Sequence, residues 1–302
     1  MLVTIIGSDG YLASAVIKLL KEKQFEILCI NRKNSPWLKG RSDKTILSAV
    51  MESDVVVNFA QVEMNSLNSF EQYKTNVLLH REIMEFLSSV NFGGKYLYLS
   101  SANVVTRRKR PFERALNHAK RIPSAEWQLQ KLFSEMLVEY FGLKKNLNAM
   151  YLRVPNLFGL VKQASLKPGN SALNRIIRNA VLYKEVVLYN NLHLKRYFLH
   201  IDRVADFIEK NFFHSGALPL KNFGLTLLGT NRLSYLEAVK SLKSLKEFDY
   251  LNIRINSDYR LTDLELMQDS PPKGGVVFIP LTKNEILQDI ISTAQLMLDS
   301  RP

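Results

Sequence analysis

Gly7, Gly10 and Ala13 stand three residues apart at the end of the apolar run Leu2-Val3-Thr4-Ile5-Ile6, and their spacing is the first in the chain that suits chemistry. Beyond them, Leu12, Val16, Ile17 and Leu20 recur at helical spacing, so the segment reads as strand, turn and helix. Such a turn aims backbone N–H groups and the positive end of a helix dipole at one spot, which suits a pyrophosphate. Gly7 allows a tight turn with positive φ, Gly10 lets a phosphate approach the backbone, and Ala13 lets the helix lie against the strand. The plainer alternative is a turn whose glycines serve geometry alone. A second strand, over 25–30, ends at Asn31, Arg32 and Lys33. In a dinucleotide fold this strand end faces the adenosine ribose. An acid there would bind the 2′-hydroxyl of NAD, whereas two cations welcome a 2′-phosphate, so NADP(H) is expected in preference to NAD(H).

The elements that must position these groups alternate in type. A short helix over 45–51 precedes a buried strand over 54–60, and a helix over 69–89 precedes a strand over 95–99 that ends in Ser100-Ser101-Ala102. A helix over 124–141 and a strand over 148–154 follow. This alternation predicts an α/β protein with a doubly wound parallel sheet of the Rossmann type and a smaller C-terminal substrate-binding subdomain. The expected division assigns 1–160 with 195–228 to the dinucleotide-binding domain, and 161–194 with 229–302 to the smaller part. In the second half, strands are expected over 186–189, 196–201, 223–228 and 276–279. Helices are expected near 174–183 and over 202–213 (capped by Asp202), 234–246 and 282–298. Ligands of such sheets bind beyond the carboxyl ends of the strands, which places Gly7, Asn31, Asn58 and Ser101 along one rim.

Composition narrows the function classes. A chain of 302 residues with 46% hydrophobic content can bury a large core. No apolar run approaches the ~18 residues of a membrane span, and the opening run is too short for a signal segment. One cysteine, Cys29, excludes an internal disulfide and a cysteine metal cluster; its apolar flanks predict a buried strand position. A reduced, cytoplasmic protein without a metal site is expected. Of the net charge of +13, six units fall between Arg107 and Arg121, where seven basic residues face the single acid Glu113. Only Phe112 interleaves them, so a solvated basic loop is expected and nucleic acid is not.

The landmarks together resemble the extended short-chain dehydrogenase/reductase family, of the NAD-dependent epimerase/dehydratase type. Gly7-x-x-Gly10-x-x-Ala13 is similar to its glycine turn, with Ala in the usual third Gly position. Asp54-Val-Val-Val-Asn58-Phe59-Ala60 resembles its third strand, with Asn58 where His is common. Asn76-Val77 resembles its helix Asn-Val, and Tyr98-Leu-Ser100-Ser101-Ala102 the strand that bears its active-site Ser. Arg153-x-x-Asn156-x-Phe158-Gly159 and Arg196-Tyr-Phe-Leu-His200-Ile-Asp202 complete the series. The resemblance implies cofactor contacts at Gly7, Ser8, Gly10, Tyr11, Leu12, Asn31, Arg32, Lys33, Phe59, Ala60, Asn76, Lys131 and Val154. It implies substrate contacts at Asn156 and Arg196, with Arg254 or Arg260 as a second phosphate contact.

Catalysis would fall to Ser101, Lys131 and the residue at the family's Tyr position, which here is Trp127. The Lys131 register is supported by Glu135, which fits the family's following Glu. An indole N–H donates a hydrogen bond but neither gives up nor accepts a proton near neutral pH, so the usual shuttle is absent. Glu126, His118 and His200 are alternative acids. The implied activity is that of an NAD(P)-dependent epimerase, dehydratase or reductase acting on a nucleotide-activated sugar, as in surface-polysaccharide biosynthesis. The alternative is a catalytically impaired cofactor-binding sensor or regulator of the same fold. A homodimer through helices 69–89 and 124–141 is implied as well.

Overall fold

The computed structural model describes residues 1–31, 33, 44–62, 69–104, 126–160, 171–189, 192–214, 223–256 and 275–300. Arg32, the basic segment 107–121 with Phe112 and His118, residues 161–170, Asn190, Asn191 and Arg260 lie outside the described residues. The chain divides into two compact units. The first comprises Met1–Val104, Ala125–Val154 and Val204–Thr226; the second comprises Val105–Ser124, Pro155–Arg203 and Leu227–Pro302.

In the first unit, β1 (Leu2–Ile6), β2 (Glu26–Ile30), β3 (Val55–Asn58), β4 (Lys95–Ser101) and β5 (Ala149–Val154) lie in the order β2-β1-β3-β4-β5. The sheet then continues through β9 (Gly224–Gly229) to β11 (Gly275–Ile279). The pairings from β2 to β9 all run parallel. Every residue of β3 and β5 is buried, as covering on both sheet faces demands. Among the described residues β2 stands last in the sheet order, and there the expectation of a buried Cys29 is corrected: the residue is half-buried. Burial raises its pKa all the same.

Helix α1 (Tyr11–Glu22) turns Leu12, Ala13, Val16, Ile17 and Leu20 inward, the spacing that makes it helical. α2 (Lys44–Met51) follows β2. The helix expected over 69–89 runs through α3 (Ser69–Tyr73) and α4 (Leu79–Ser89), with a wide π-turn over Lys74–Leu78 that periodicity did not foretell. α5 (Glu126–Lys145) packs against β4 and β5. The core between them holds Ile83, Met84, Leu87, Tyr96, Tyr98, Val138 and Phe141. α7 (Ile201–Phe212) begins one residue before Asp202, so Asp202 lies in the first turn rather than at the cap.

In the second unit, β6 (Asn156–Phe158) pairs with β8 (Phe198–His200), and β7 (Glu185–Tyr189) pairs with β10 (Asn252–Asn256), both parallel. The strand expected over 196–201 is shorter, because Arg196 leaves the ladder and bridges Leu233. α6 (Ala172–Tyr183), α8 (Tyr235–Leu242) and α9 (Lys283–Asp299) pack together; α8 and α9 start at capping boxes built by Ser234–Glu237 and Thr282–Glu285.

Candidate functional site

The chain reverses its direction of travel across the sheet between β2 and β3, on either side of β1. Crevices form at such a switch point, beyond the carboxyl ends of the strands. A cleft of about 290 Å³ lies there, lined by Gly7, Asp9, Gly10, Asn31, Phe59, Ala60, Gln61, Thr75 and Leu79. Five of these were expected from the sequence. Asp9, Gln61, Thr75 and Leu79 were missed, and the sequence held no signal for the last two, which a helix from elsewhere in the chain brings in.

Gly7 turns with φ of +80°, and a Cβ there would stand 2.6 Å from the Ala60 nitrogen. At Gly10 a Cβ would stand 3.0 Å from the Gly7 carbonyl oxygen. No side chain caps α1, and its first turn carries no acid. The turn is thus a cradle with bare backbone at the positive end of a helix, which fits a pyrophosphate. Ser8 is buried beneath it, Leu12 packs inward, and Tyr11 is half-buried. The Asn31 side-chain amide donates to Ser8 Oγ at 3.3 Å and to Asp9 Oδ1 at 3.1 Å, tying the end of β2 to the turn. Its own oxygen accepts the Lys33 N–H at 2.9 Å.

The loop after β3 is held by polar side chains. Asn58 Oδ1 accepts the Ala60 N–H at 2.9 Å, and Asn76 Oδ1 accepts the Val62 N–H at 2.8 Å. Asn76 Nδ2 donates to Val62 O at 3.3 Å and to Gln130 Oε1 at 2.8 Å, so this residue links the loop to α5 instead of lining the cleft. Below it, His80 Nε2 donates to Ser134 O at 3.1 Å while Nδ1 accepts from Tyr96 OH at 2.8 Å. Burial lowers the His80 pKa to about 3, so the ring is neutral and its proton sits on Nε2.

At the end of β4, Ser101 Oγ accepts the Asn103 N–H at 3.2 Å, and Ser101 stands beside Val154 in the β4–β5 register. Lys131 is 8% exposed; its Nζ donates to Leu99 O at 2.5 Å and lies 4.7 Å from the centre of the Tyr98 ring. Burial brings its pKa down to about 8, opposed by the charge of Glu135. Trp127 is half-buried one turn earlier on α5. Glu126 is exposed at the start of that helix and accepts from Gln130 Nε2 at 3.3 Å.

In the second unit, Asn156 Nδ2 donates to Tyr197 O at 3.1 Å, which brings it next to Arg196 in the fold. Arg196 is 4% exposed, stacks 4.6 Å from the Tyr235 ring centre and donates to Leu194 O at 3.0 Å. His200 is half-buried, with a pKa lowered by burial, and lies against Gly159, whose φ is +122°. Arg254 pairs with Glu185 at 2.8 Å. Among the described residues there is no group of three or more His, Cys, Asp or Glu arranged to hold a metal, and no helix long and apolar enough to cross a membrane.

A model of the NAD dependent epimerase/dehydratase family matches residues 3–214. Curated proteins offer no match. Among solved structures, the NAD-dependent NDP-hexosamine 5,6-dehydratase TunA superposes with a TM-score of 0.71 at 14% identity, covering 99% of both chains. UDP-glucuronic acid 4-epimerase from Bacillus cereus, in complex with NAD, gives 0.71 at 15% identity over 99% of this chain and 100% of the other. RMD from Pseudomonas aeruginosa, complexed with NADPH, gives 0.64 at 16% identity over 98% of this chain and 100% of the other. At these identities the likeness establishes the fold.

Proposed function

The chain belongs to the NAD-dependent epimerase/dehydratase family, and on that premise we propose that it binds a nicotinamide dinucleotide at the Gly7–Gly10 turn and acts on a nucleotide-activated sugar. The observation that carries this reading is the cleft at the sheet's switch point, where Gly7 leaves no room for a Cβ and Gly10 only a tight fit. Asn31, Phe59 and Ala60 line the same cleft and are assigned to the adenosine end. NADP(H) is preferred over NAD(H) because Lys33, with Arg32 beside it in sequence, follows β2 where an acid would favour NAD. When bound, the dinucleotide supplies hydride transfer to or from the sugar.

The chain's own residues divide the remaining work. Lys131 presents N–H donors to the cofactor ribose, and Ser101 hydrogen-bonds the reacting sugar oxygen. Arg196, with its planar fork, and Asn156 are assigned to the sugar nucleotide's phosphates. The smaller part of the chain, 161–194 and 229–302, is assigned to the sugar nucleotide, and a cytoplasmic role in surface-polysaccharide assembly fits that substrate class. A homodimer through α3–α4 and α5 fits the exposed stripe Leu129, Phe133, Met136, Tyr140 and Leu143 on α5.

Trp127 favours a second reading, a cofactor-binding sensor or regulator with impaired turnover, since the indole moves no proton. Titration of the purified protein with NADPH and NADH, followed by tryptophan fluorescence, tests the first reading. Micromolar binding with NADPH ahead is expected, followed by turnover of UDP- or dTDP-hexoses. Absence of binding by folded protein overturns the cofactor assignment. Binding without turnover of any nucleotide sugar selects the sensor reading.

A further inference from the structure

We propose that Gln128 is a positioning residue for Ser101: its buried side-chain amide holds the turn after β4 by the Asn103 carbonyl, so that the Asn103 N–H occupies Ser101 Oγ and the hydroxyl is left to act as a donor. The use of that donor on a sugar oxygen rests on the reading proposed above; the coupling of Gln128 to Ser101 does not.

α5 is polar where a helix is ordinarily apolar. Leu129, Phe133, Met136 and Tyr140 are exposed, while Gln128, Gln130, Lys131, Ser134 and Glu135 are buried. Burial of such groups costs free energy unless each finds a partner. Gln130 and Ser134 bond to Asn76, and Glu135 bonds to Ser100 and Arg153. Gln128, at 0% exposure, reaches the chain just beyond β4.

Gln128 Nε2 donates to Asn103 O at 2.7 Å. Asn103 is the middle residue of a single 3-10 turn, Ala102–Val104, that follows directly on Ser101. Its N–H donates to Ser101 Oγ at 3.2 Å. A serine oxygen that accepts the N–H two residues on makes a local turn of little strength by itself. The bond from Gln128 ties this turn to a 20-residue helix, so the place of the Asn103 N–H is set from α5. A hydroxyl has one proton and two lone pairs. With the Asn103 N–H seated on one lone pair, the proton points elsewhere and Ser101 meets a ligand as a donor. A sugar oxygen that gathers negative charge requires such a donor. Trp127, the neighbour of Gln128 in sequence, brings no hydroxyl of its own. An apolar side chain at 128 would fill the space but leave the Asn103 carbonyl without this bond.

Ala102-Asn103 is the one Ala-Asn step in the chain. Protein made with 13C-carbonyl alanine and 15N-asparagine therefore gives a single selected amide signal by NMR, that of Asn103. In wild type this amide should exchange slowly with solvent, and Ser101→Ala should speed the exchange about tenfold or more. Gln128→Met keeps the length of the side chain without its donor. It should speed exchange to a similar degree and move the amide proton shift toward that of Ser101→Ala. Gln128→Leu is the second variant should the methionine variant misfold. Wild-type exchange and shift in a folded Gln128 variant overturn the proposal. With NADP+ and UDP-glucose as the probes, Gln128→Met should lower kcat about tenfold while the affinity for NADPH stays unchanged. The same substitution should cause no further fall in a Ser101→Ala background. An equal fall in both backgrounds shows Gln128 acting apart from Ser101 and likewise overturns the proposal. If wild type fails to bind NADPH, the cofactor reading falls, while the Asn103 amide, which needs no ligand, still decides the coupling.

Discussion

The side-chain amide of Asn76 brackets the backbone of Val62, accepting its N–H at 2.8 Å and donating to its carbonyl at 3.3 Å. A residue in a wide helical turn thereby closes the loop whose preceding residues, Phe59 to Gln61, wall the cleft. Asn76→Leu would leave both Val62 groups and Gln130 Oε1 without these bonds. We expect a loss of about 2–4 kcal/mol in urea unfolding and at least tenfold weaker NADPH binding, measured on the folded fraction.

Gly7→Ala tests the cradle itself. The positive φ costs an alanine about 1–2 kcal/mol, and contact with Ala60 adds to it. The expected outcome is a lower unfolding midpoint together with loss of dinucleotide binding. Retained affinity would remove the turn from the cofactor assignment.

His80 makes stability depend on acid. Its folded pKa is about 3 against 6.5 in the unfolded chain, so the unfolded state binds the extra proton between those values. The stabilisation is complete above pH 6.5 and declines as pH falls toward 3. Between pH 7 and 5 about 2 kcal/mol should be lost at this site. Urea midpoints over that range check it; His80→Gln should be less stable at pH 7 and flatter across the interval.

Lys131 has the opposite consequence in base. Its folded pKa of about 8 lies below the unfolded value of 10.5, so the cost of burying its charge is full below pH 8 and relieved as pH rises through 10.5. Wild type should gain about 3 kcal/mol relative to Lys131→Met between pH 8 and 10.5. Parallel denaturation curves of the two proteins across that range read the difference directly.

Trp127→Tyr restores a phenol one turn from Lys131. With a nucleotide sugar that the protein binds, turnover should rise about 10²-fold over wild type, and Trp127→Phe should give no rise. Equal rates for the Tyr and Phe variants would exclude position 127 as the place of the missing proton carrier.

The alternation of strands and helices was legible because it is local. Apolar runs such as Val55–Val57 and the glycine turn carry their meaning within a few residues. What escaped was set by pairs distant in sequence. Asn58, His80 and Tyr96 meet in one hydrogen-bonded group although each reads alone as an ordinary polar residue. Thr75 and Leu79 reach the cleft because the chain returns there, which no window around Gly7 reveals. β10 gave no signal since four of its five residues are exposed. Cys29 misled because its neighbours are apolar, whereas strand order decides which apolar run stands last in the sheet.

The wide turn over Lys74–Leu78 has one more consequence, for descent. An extra residue in a helix rotates everything beyond it by about 100°. Here that rotation sets the inward face of α4, with Leu79, His80, Ile83, Met84 and Leu87 buried. Loss of one codon between Asn76 and His80 would turn that face toward water and bring charged neighbours inward. Lineages carrying this fold should therefore keep the interval from Asn76 to His80 fixed, even where the residues between them change.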